Sequence, residues 1–247
     1  MINFDIDSVK TPCYVVDQSL LEKNLQVLKG VSDKTGAKIL LAQKAFSMYG
    51  VYPVIKEYLC GTAASGIFEA KLGYHEMGGE VHVFSPAYKG EDVEKLVRIA
   101  DTIIFNSFSQ WKKHKNIVLK ADKSISCGIR INPEYSEIET DIYNPCFPGS
   151  RLGVTLDNFN ETLLEGIEGL HFHTMCEQGA DTLERTLKVV DKKFGKYLSQ
   201  MKWLNFGGGH HITRDDYDIP LLEKCINYFQ DKYNLQVYLE PGEAVAL

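Results

Sequence analysis

Short apolar runs alternate with longer amphipathic segments along most of this chain of 247 residues. The first such run that leads to a candidate site, Ile39-Leu-Leu-Ala42, is typical of a strand buried in a parallel sheet. Between the runs, apolar residues such as Leu21, Leu25 and Leu28 have helical spacing. The predicted strands comprise residues 39–44, 60–65, 81–85, 102–106, 126–132, 169–173, 202–206 and 236–240. The predicted helices comprise a segment capped by Asp17 or Ser19 and residues 47–58, 67–78, 91–99, 109–119, 158–164, 182–197 and 221–233.

This alternation of strands and helices predicts an α/β fold built from parallel βα units. Eight such units in a chain of this length fit a TIM-type (β/α)8 barrel, and an open doubly wound sheet is the alternative. One further strand, residues 13–17, lies outside the eight. The predicted organisation is therefore a leader segment with that first strand, residues 1–17, followed by a single barrel domain, residues 18–247.

Composition and charge narrow the classes of partner. The net charge of −6 provides no basic surface for nucleic acid. No apolar stretch approaches the length of a membrane span, and the first ten residues lack the basic start and apolar core of a signal peptide. The six cysteines are scattered and form no CxxC pair, which predicts reduced thiols and a cytoplasmic location.

The most informative single residue is Lys44, which follows the apolar run that ends at Ala42. A lysine at the carboxyl end of a buried barrel strand points towards the face where such barrels keep their chemistry. Desolvation there disfavours the ammonium form, so the sequence predicts a nucleophilic amine. A strand-end lysine that reaches out to water is the alternative.

Glycine and histidine residues follow two of the later strands. The triplet Gly207-Gly208-Gly209 allows a close backbone approach to an anion, such as a phosphate, although the triplet alone is weak evidence and a tight turn is the alternative. His173 ends one strand and suits contact with a flat ring. Four histidines predicted near one face also suggest a metal site, with core or loop positions as the alternative. They are His171, His173, His210 and His211.

Charged residues follow the last strand and a long irregular loop. Glu240 ends the last strand, where its carboxylate is placed to hold a proton on a ring nitrogen, and Glu243 follows after Pro-Gly. The loop of residues 133–148 is long enough to suggest a functional role. Arg151 comes just after it and is a candidate partner for an anionic group, or else a surface arginine.

Taken in order, these short motifs resemble those of the fold-type III pyridoxal-phosphate enzymes, the group of alanine racemase and ornithine decarboxylase. The matching motifs are Thr11-Pro-x-Tyr, Lys44, Ser150-Arg-Leu-Gly, Phe172-His, Gly207-Gly-Gly and Glu240-Pro-Gly. Three longer segments resemble the carboxynorspermidine/carboxyspermidine decarboxylases in particular. They are His171-Phe-His-Thr-Met-Cys-Glu, Asn205-Phe-Gly-Gly-Gly-His-His-Ile and Glu240-Pro-Gly-Glu-Ala.

The resemblance implies roles for these residues. Lys44 would bind pyridoxal 5'-phosphate covalently, His173 would stack on its ring and Glu240 would keep the ring nitrogen protonated. These three are the implied catalytic residues. Glu240 favours a decarboxylase, because racemases of this fold are expected to use arginine at that position.

The remaining site residues are implied in the same way. The backbone of Gly207, Gly208 and Gly209 would hold the phosphate. Cys176 stands where ornithine decarboxylase has a phosphate-binding serine, and Thr174 or the backbone is expected to compensate for its weaker donor. Glu243 stands where ornithine decarboxylase has a phosphate-binding arginine, so it is a candidate ligand for a substrate amine. Arg151 falls within the Ser-Arg-Leu-Gly motif and is included among the cofactor-binding residues.

The activity implied is decarboxylation of carboxynorspermidine or carboxyspermidine to norspermidine or spermidine, with the small substrate as partner and no nucleic acid, membrane or metal. The implied barrel is of the alanine racemase N-terminal type. A C-terminal β-domain that completes the family's homodimeric site is not recognised here, so this chain is expected to be inactive alone. The alternatives are a pyridoxal-phosphate-binding barrel without catalysis and a metal-dependent hydrolase using His171, His173 and His210 or His211.

Overall fold

Eight parallel strands form a closed barrel in the computed structural model, which describes residues 5–247. The strands are β1 Lys38–Ala42, β2 Gly61–Ala64, β3 Glu80–Ser85, β4 Thr102–Phe105, β5 Ser126–Arg130, β6 Gly169–His171, β7 Trp203–Asn205 and β8 Gln236–Leu239. Each pairs with the next, and β1 closes on β8 through Lys38 opposite Tyr238 and Ile39 opposite Leu239. The predicted barrel is confirmed, and the open doubly wound sheet was wrong.

Helices cover the outside of this barrel. They are α1 Gln18–Thr35, α2 Tyr52–Ile55, α3 Ile67–Leu72, α4 Gly90–Leu96, α5 Phe108–Leu119, α6 Ala180–Leu198, α7 Ile219–Tyr233 and α8 Glu243–Ala246. A π-helical turn, Gly73–Met77, extends α3, and short 3-10 turns occupy Ile6–Ser8, Tyr49–Val51, Asp141–Tyr143, Leu156–Asn158 and Glu161–Leu163. Asp17 caps α1 by accepting hydrogen bonds from the N–H groups of Ser19 and Leu20, as one of the two predicted caps. None of the helices within residues 5–247 combines the length and the apolar character needed to cross a membrane.

Two sequence predictions need correction. Residues 13–17 are extended but form no strand, because no strand of the described residues lies beside them, and Tyr14 is 94% exposed. Residues 1–4 of the predicted leader lie outside the described residues. The helix predicted at 158–164 is a pair of 3-10 turns, because the Asn160 side chain accepts from the Thr162 N–H and so competes with helical bonding.

Alternation along each strand divides the core into two layers. Ile39 and Leu41 belong to the large layer between strands and helices, whereas Leu40 points into the barrel. The inner layer consists of Leu40, Ile104, Trp203 and Tyr238. The Trp203 indole occupies space that Gly169 leaves open, since a Cβ at residue 169 would lie 2.0 Å from the indole Cδ2. The interior at this level is therefore filled by side chains.

A polar network lies at the amino end of the barrel, opposite the face that enzymes of this architecture use. Glu80 forms an ion pair with Lys38 and accepts a hydrogen bond from the Tyr238 hydroxyl at 3.0 Å. The His82 Nε2 lies 2.9 Å from the same carboxylate. Burial opposes ionisation of Glu80, but His82 and Lys38 lower its pKa to about 2. The negative charge of Glu80 is thus stabilised by neighbouring side chains at this end of the barrel.

Candidate active site

A cavity of about 590 Å³ opens at the carboxyl ends of the strands. Its volume lies within the range of small-molecule and cofactor sites. The predicted site residues that line it are Lys44, Arg151, His173, Cys176, Gly208, Gly209, Glu240 and Glu243. Residues that are far apart in the sequence therefore converge here, because each follows the carboxyl end of a barrel strand or an adjoining loop.

Lys44 lies in the turn two residues beyond β1 and is exposed to solvent. Its Nζ is 3.5 Å from the Nε2 of His173. The strand ends two residues before Lys44, because the Ala42 carbonyl accepts turn hydrogen bonds from the Ala45 and Phe46 N–H groups at 3.1 and 3.3 Å, and the chain turns there into the cavity. The prediction of a buried, desolvated lysine was therefore wrong, although its position at the barrel mouth was correct.

His173 is held with a defined orientation. Its Nδ1 accepts a hydrogen bond from the Gly208 N–H at 2.9 Å, so the ring proton is assigned to Nε2, which faces Lys44. Burial, followed by the positive charges of Lys44 and Arg130, lowers the pKa of His173 well below its usual value. The imidazole is consequently neutral and presents a flat, uncharged ring to the cavity.

Glu240 is a nearly buried carboxylate, with 12% of its side chain exposed, and its neighbours are fixed. The Asn205 Nδ2 donates to Glu240 Oε1 at 2.8 Å, and the His171 Nε2 lies 3.5 Å from Oε2. Burial favours the neutral acid, but His171 and the Asn205 hydrogen bond lower the pKa of Glu240 to about 2. Burial also lowers the pKa of His171. A negative charge is thereby kept at the floor of the cavity at neutral pH.

Arg130 was not identified as a site residue from the sequence. It is the last residue of β5, is only 5% exposed and lines the cavity. Its Nη2 donates to the His173 carbonyl at 3.0 Å, and its guanidinium lies 4.7 Å from the centre of the Phe84 ring. Burial lowers the pKa of Arg130 to about 10, so the group stays charged at neutral pH. A charged residue within an otherwise apolar strand was the signal available in the sequence.

The glycine triplet is only partly free to bind an anion. Gly207 and Gly209 adopt φ values of 73° and 84°, which favour glycine. The Gly207 N–H donates to Asn205 Oδ1 at 2.8 Å, and the Gly208 N–H donates to His173. Gly207 does not line the cavity. Of the three predicted backbone donors, the Gly209 N–H is the one that these two hydrogen bonds leave available.

The predicted functional loop covers one side of the cavity. Residues 133–148, called here the mouth loop, contribute Ile138 and Tyr143 to its lining. The loop is tied to α6 by Glu137, whose two carboxylate oxygens accept from Arg185 at 2.6 and 2.7 Å. This bidentate geometry orients the loop more firmly than a single ion pair does.

The metal site that the four histidines suggested as an alternative does not form as such among the described residues. Within residues 5–247, the one group whose donor atoms lie close enough to hold a metal is Glu177, His211 and Glu243, all within 4.8 Å of one another. It contains a single histidine. His210 is buried, and neither of its ring nitrogens makes a hydrogen bond with a described residue.

Comparison with known proteins gives a consistent result. A carboxynorspermidine/carboxyspermidine decarboxylase from Campylobacter jejuni is 45% identical over 239 residues, which are 97% of this chain and 62% of that protein. The crystal structure of carboxynorspermidine decarboxylase complexed with norspermidine, also from Campylobacter jejuni, has a TM-score of 0.87 at 43% identity. The alignment covers 96% of this chain and 61% of that one. The chain is a homologue of these decarboxylases.

A third homologue is a carboxyaminopropylagmatine decarboxylase from Synechocystis sp., which is 38% identical over 98% of this chain and 62% of its own length. No protein-family model matches the chain. The resemblance inferred from the ordered motifs is thereby confirmed. The chain spans about 62% of the length of these two curated decarboxylases.

Proposed function

We propose that this chain binds pyridoxal 5'-phosphate at the carboxyl end of its barrel and acts in the decarboxylation of carboxynorspermidine or carboxyspermidine. The products would be norspermidine or spermidine. The observation that carries this proposal is the convergence of Lys44, His173 and Glu240 on one cavity, with the lysine and histidine nitrogens 3.5 Å apart. Identity of 45% to a carboxynorspermidine/carboxyspermidine decarboxylase supports it.

Each part of this cofactor has a residue in the cavity that suits it. The Lys44 amine is accessible to an aldehyde, and the neutral ring of His173 suits a flat heterocycle. Glu240 is a nearly buried carboxylate that is ionised at neutral pH, so its charge suits a protonated ring nitrogen. Gly209 offers a backbone N–H and Arg151 a positive charge for the phosphate. Once bound, pyridoxal phosphate supplies an electron sink for the electron pair that remains when CO2 leaves.

The chain's own residues contribute to this chemistry by fixing the charge and the position of the groups around the cofactor. Glu240 keeps a proton on the ring nitrogen, because its pKa of about 2 leaves the carboxylate ionised at neutral pH. Asn205 fixes the carboxylate through its amide, and Arg130 supports the His173 backbone. The mouth loop contributes Ile138, Tyr143 and Pro145 to the wall of the cavity, beside the place proposed for the cofactor.

Glu243 is proposed to bind an amine of the substrate. It lines the same cavity as Lys44, and 46% of its side chain remains exposed. The homologue of known structure was crystallised with norspermidine, which supports an amine substrate for this chain. Because the chain spans about 62% of its curated relatives, the activity and the choice between the two carboxylated polyamines are part of the proposal.

A homodimer in a cytoplasmic setting completes the proposal. All six cysteines are free thiols in the structure, which is typical of proteins kept in reducing compartments. Light scattering of a purified form that spans the full length of the relatives measures the dimer directly, and a monomer at working concentration would contradict it.

The decisive experiment adds pyridoxal phosphate, reduces with borohydride and locates the label by peptide mass analysis. We expect the label on the Lys44 peptide, its loss in Lys44→Ala and its retention in the control Lys71→Ala, whose exposed lysine lies on α3. Retained turnover in Lys44→Ala would refute the assignment. Binding of the cofactor without release of CO2 from either carboxylated polyamine, in a form of the protein that spans the full length of its relatives, would favour the non-catalytic alternative, and stoichiometric zinc after dialysis would favour the hydrolase.

A further inference from the structure

Gln43, the residue that precedes Lys44 in the turn after β1, is buried although Lys44 is exposed. Only 2% of Gln43 is accessible to solvent. Its side chain lies between the barrel and the helices α2 and α3, whereas the side chain of Lys44 lines the cavity. A polar residue is therefore buried directly beside the lysine that the proposed function uses, and its contacts need an explanation.

Both polar atoms of the Gln43 amide have partners. Its Nε2 donates to the Glu69 carbonyl in α3 at 2.9 Å, and its Oε1 accepts from the Tyr52 hydroxyl in α2 at 3.1 Å. The Glu69 carbonyl can only accept, which fixes the orientation of the amide. Burial, followed by the negative charge of Glu69, raises the pKa of Tyr52 to about 12, so its hydroxyl keeps its proton and remains a donor.

The backbone on either side of Lys44 is held as well. The Gln43 N–H donates to the Ala63 carbonyl at 3.1 Å, and the Ala45 N–H donates to the Ala42 carbonyl at 3.1 Å. Beyond the turn the packing is close, since a Cβ at Gly242 would lie 2.5 Å from the Cβ of Ala45. The turn is thus fixed on both sides of Lys44, whose side chain extends into the cavity.

The helix that accepts the Gln43 hydrogen bond lies close to the barrel. Gly73 stands where α3 passes into the π-helical turn, and a Cβ there would lie 2.2 Å from Thr62 Oγ1 and 3.1 Å from Gln43 Nε2. Glycine permits this approach because it has no side chain. Such π-helical turns are frequent at functional sites. The approach brings the Glu69 carbonyl within reach of the amide.

We infer that Gln43 is a positioning residue, which sets the direction in which Lys44 enters the cavity and so holds its amine beside His173. The inference rests on the proposed function and extends it to a residue outside the cavity. The Lys44 Nζ lies 3.5 Å from the His173 Nε2 in this arrangement. A displacement of about 1 Å at a reacting group can slow a reaction about a hundredfold, so the position of this amine should govern how fast it captures an aldehyde.

A role confined to stability is the alternative for Gln43. Its hydrogen bonds join α2 and α3 to the barrel, so their loss should also destabilise the fold. Destabilisation by itself leaves the reactivity of the molecules that remain folded unchanged. The rate at which Lys44 reacts in the folded protein therefore separates the two roles.

Timed reduction with borohydride tests the inference, with pyridoxal phosphate and pyridoxal as probes and the label on the Lys44 peptide quantified by mass analysis. Gln43→Leu is similar in size but forms neither hydrogen bond, and we expect it to slow labelling by both aldehydes at least about tenfold. Tyr52→Phe removes one of the two hydrogen bonds and should have a smaller effect in the same direction. It keeps the buried ring, so it provides the test if Gln43→Leu does not fold.

The matched control is Ser126→Ala, at the amino end of the barrel. This substitution also removes two side-chain hydrogen bonds, because Ser126 Oγ accepts from Trp203 Nε1 at 2.8 Å and donates to Glu168 Oε2 at 2.7 Å. It should lower the midpoint of urea unfolding and leave the rate of labelling at Lys44 unchanged.

Equal labelling rates in wild type and both variants would overturn the inference, and so would an equal slowing in Ser126→Ala, since the effect would then follow stability. Slowing confined to pyridoxal phosphate would also overturn it, because the substitution would then act on phosphate binding. No label on wild-type Lys44 would remove the proposed function and this inference with it. If labelling depends on Gln43 but a form that spans the full length of the relatives releases no CO2, the inference stands and the decarboxylase assignment does not.

Discussion

Replacing Asn205 by aspartate places a second carboxylate against Glu240 without changing the shape of the side chain. Asn205 has no solvent exposure and bridges two groups, donating to Glu240 Oε1 and accepting from the Gly207 N–H, both at 2.8 Å. In Asn205→Asp the accepting oxygen is retained, but the donor that faces Glu240 becomes a second acceptor. Two buried carboxyl groups at this distance share one proton rather than ionise together.

The magnitude follows from that distance. Two charges about 2.8 Å apart repel by about 6 kcal/mol at an effective dielectric constant of 20. Holding one proton at pH 7 on a carboxyl whose ordinary pKa is about 4 costs about 4 kcal/mol. Protonation of one carboxyl group therefore costs less free energy than ionisation of both, and the folded variant retains one proton at neutral pH. The free energy of unfolding depends on pH in the same way whichever group of the site holds that proton.

The unfolded variant binds no such proton above about pH 5, so its free energy of unfolding should fall by about 1.4 kcal/mol for each pH unit. In the wild type, Glu240 does not make the free energy of unfolding depend on pH between pH 5 and 7, because its pKa of about 2 lies below this range. Between pH 5 and 7 the difference between the two proteins should therefore grow by about 3 kcal/mol.

Urea unfolding followed by circular dichroism at pH 5, 6 and 7 measures this difference. The control is Asn205→Ala, which removes the same hydrogen bonds but adds no charge, so its loss of stability relative to wild type should not vary with pH. Titration of the histidines outside the site affects all three proteins alike and cancels in the comparison. A difference for Asn205→Asp that is as constant with pH as that for Asn205→Ala would refute the account of Glu240 as a buried, ionised carboxylate.

Two other substitutions test the packing and the mouth loop. Gly169→Ala should lower the free energy of unfolding in urea by more than about 2 kcal/mol, since its Cβ would overlap the Trp203 ring, whereas Gly30→Ala, with no neighbour within 4 Å of the new Cβ, should be neutral or stabilising. Arg185→Lys should accelerate chymotrypsin cleavage of the mouth loop, because lysine cannot form the bidentate pair with Glu137, while global stability changes by less than about 1 kcal/mol. Unchanged cleavage would mean that the loop does not depend on this pair.

The barrel was predictable because its signals are local. Runs such as Ile39-Leu-Leu-Ala42 are buried on both faces and read as strands without knowledge of their neighbours. Lys44, His173 and Glu240 were predictable for a related reason, since each follows the end of such a run and those ends meet on one face. The residues 13–17 were misread because an extended apolar segment resembles a strand whether or not a partner strand is present.

What escaped prediction depends on contacts between distant segments. Arg130 looked like part of a strand, and only the closed barrel shows that its guanidinium reaches the backbone of His173. Glu177 adopts a left-handed backbone conformation, with φ of 52°. The next residue, Gln178, donates its N–H to the Gly209 carbonyl, which lies far away in the sequence. The exposure of Lys44 likewise follows from where β1 stops, which is set by the turn that Ala45 and Phe46 form with the Ala42 carbonyl.

The seam between β1 and β8 has a consequence for how the protein reaches its folded state. This seam joins Lys38 to Tyr238, residues about 200 positions apart, and it rests on only two paired positions of the ladder. Local βα units can form as the chain emerges, whereas this pairing must await the last strand and bears the largest entropy of loop closure. The same event brings the turn of Lys44 alongside Glu240. A partly folded chain therefore contains neither a closed ring nor an assembled site, and the ability to hold the cofactor should appear only in the final, slowest step of folding.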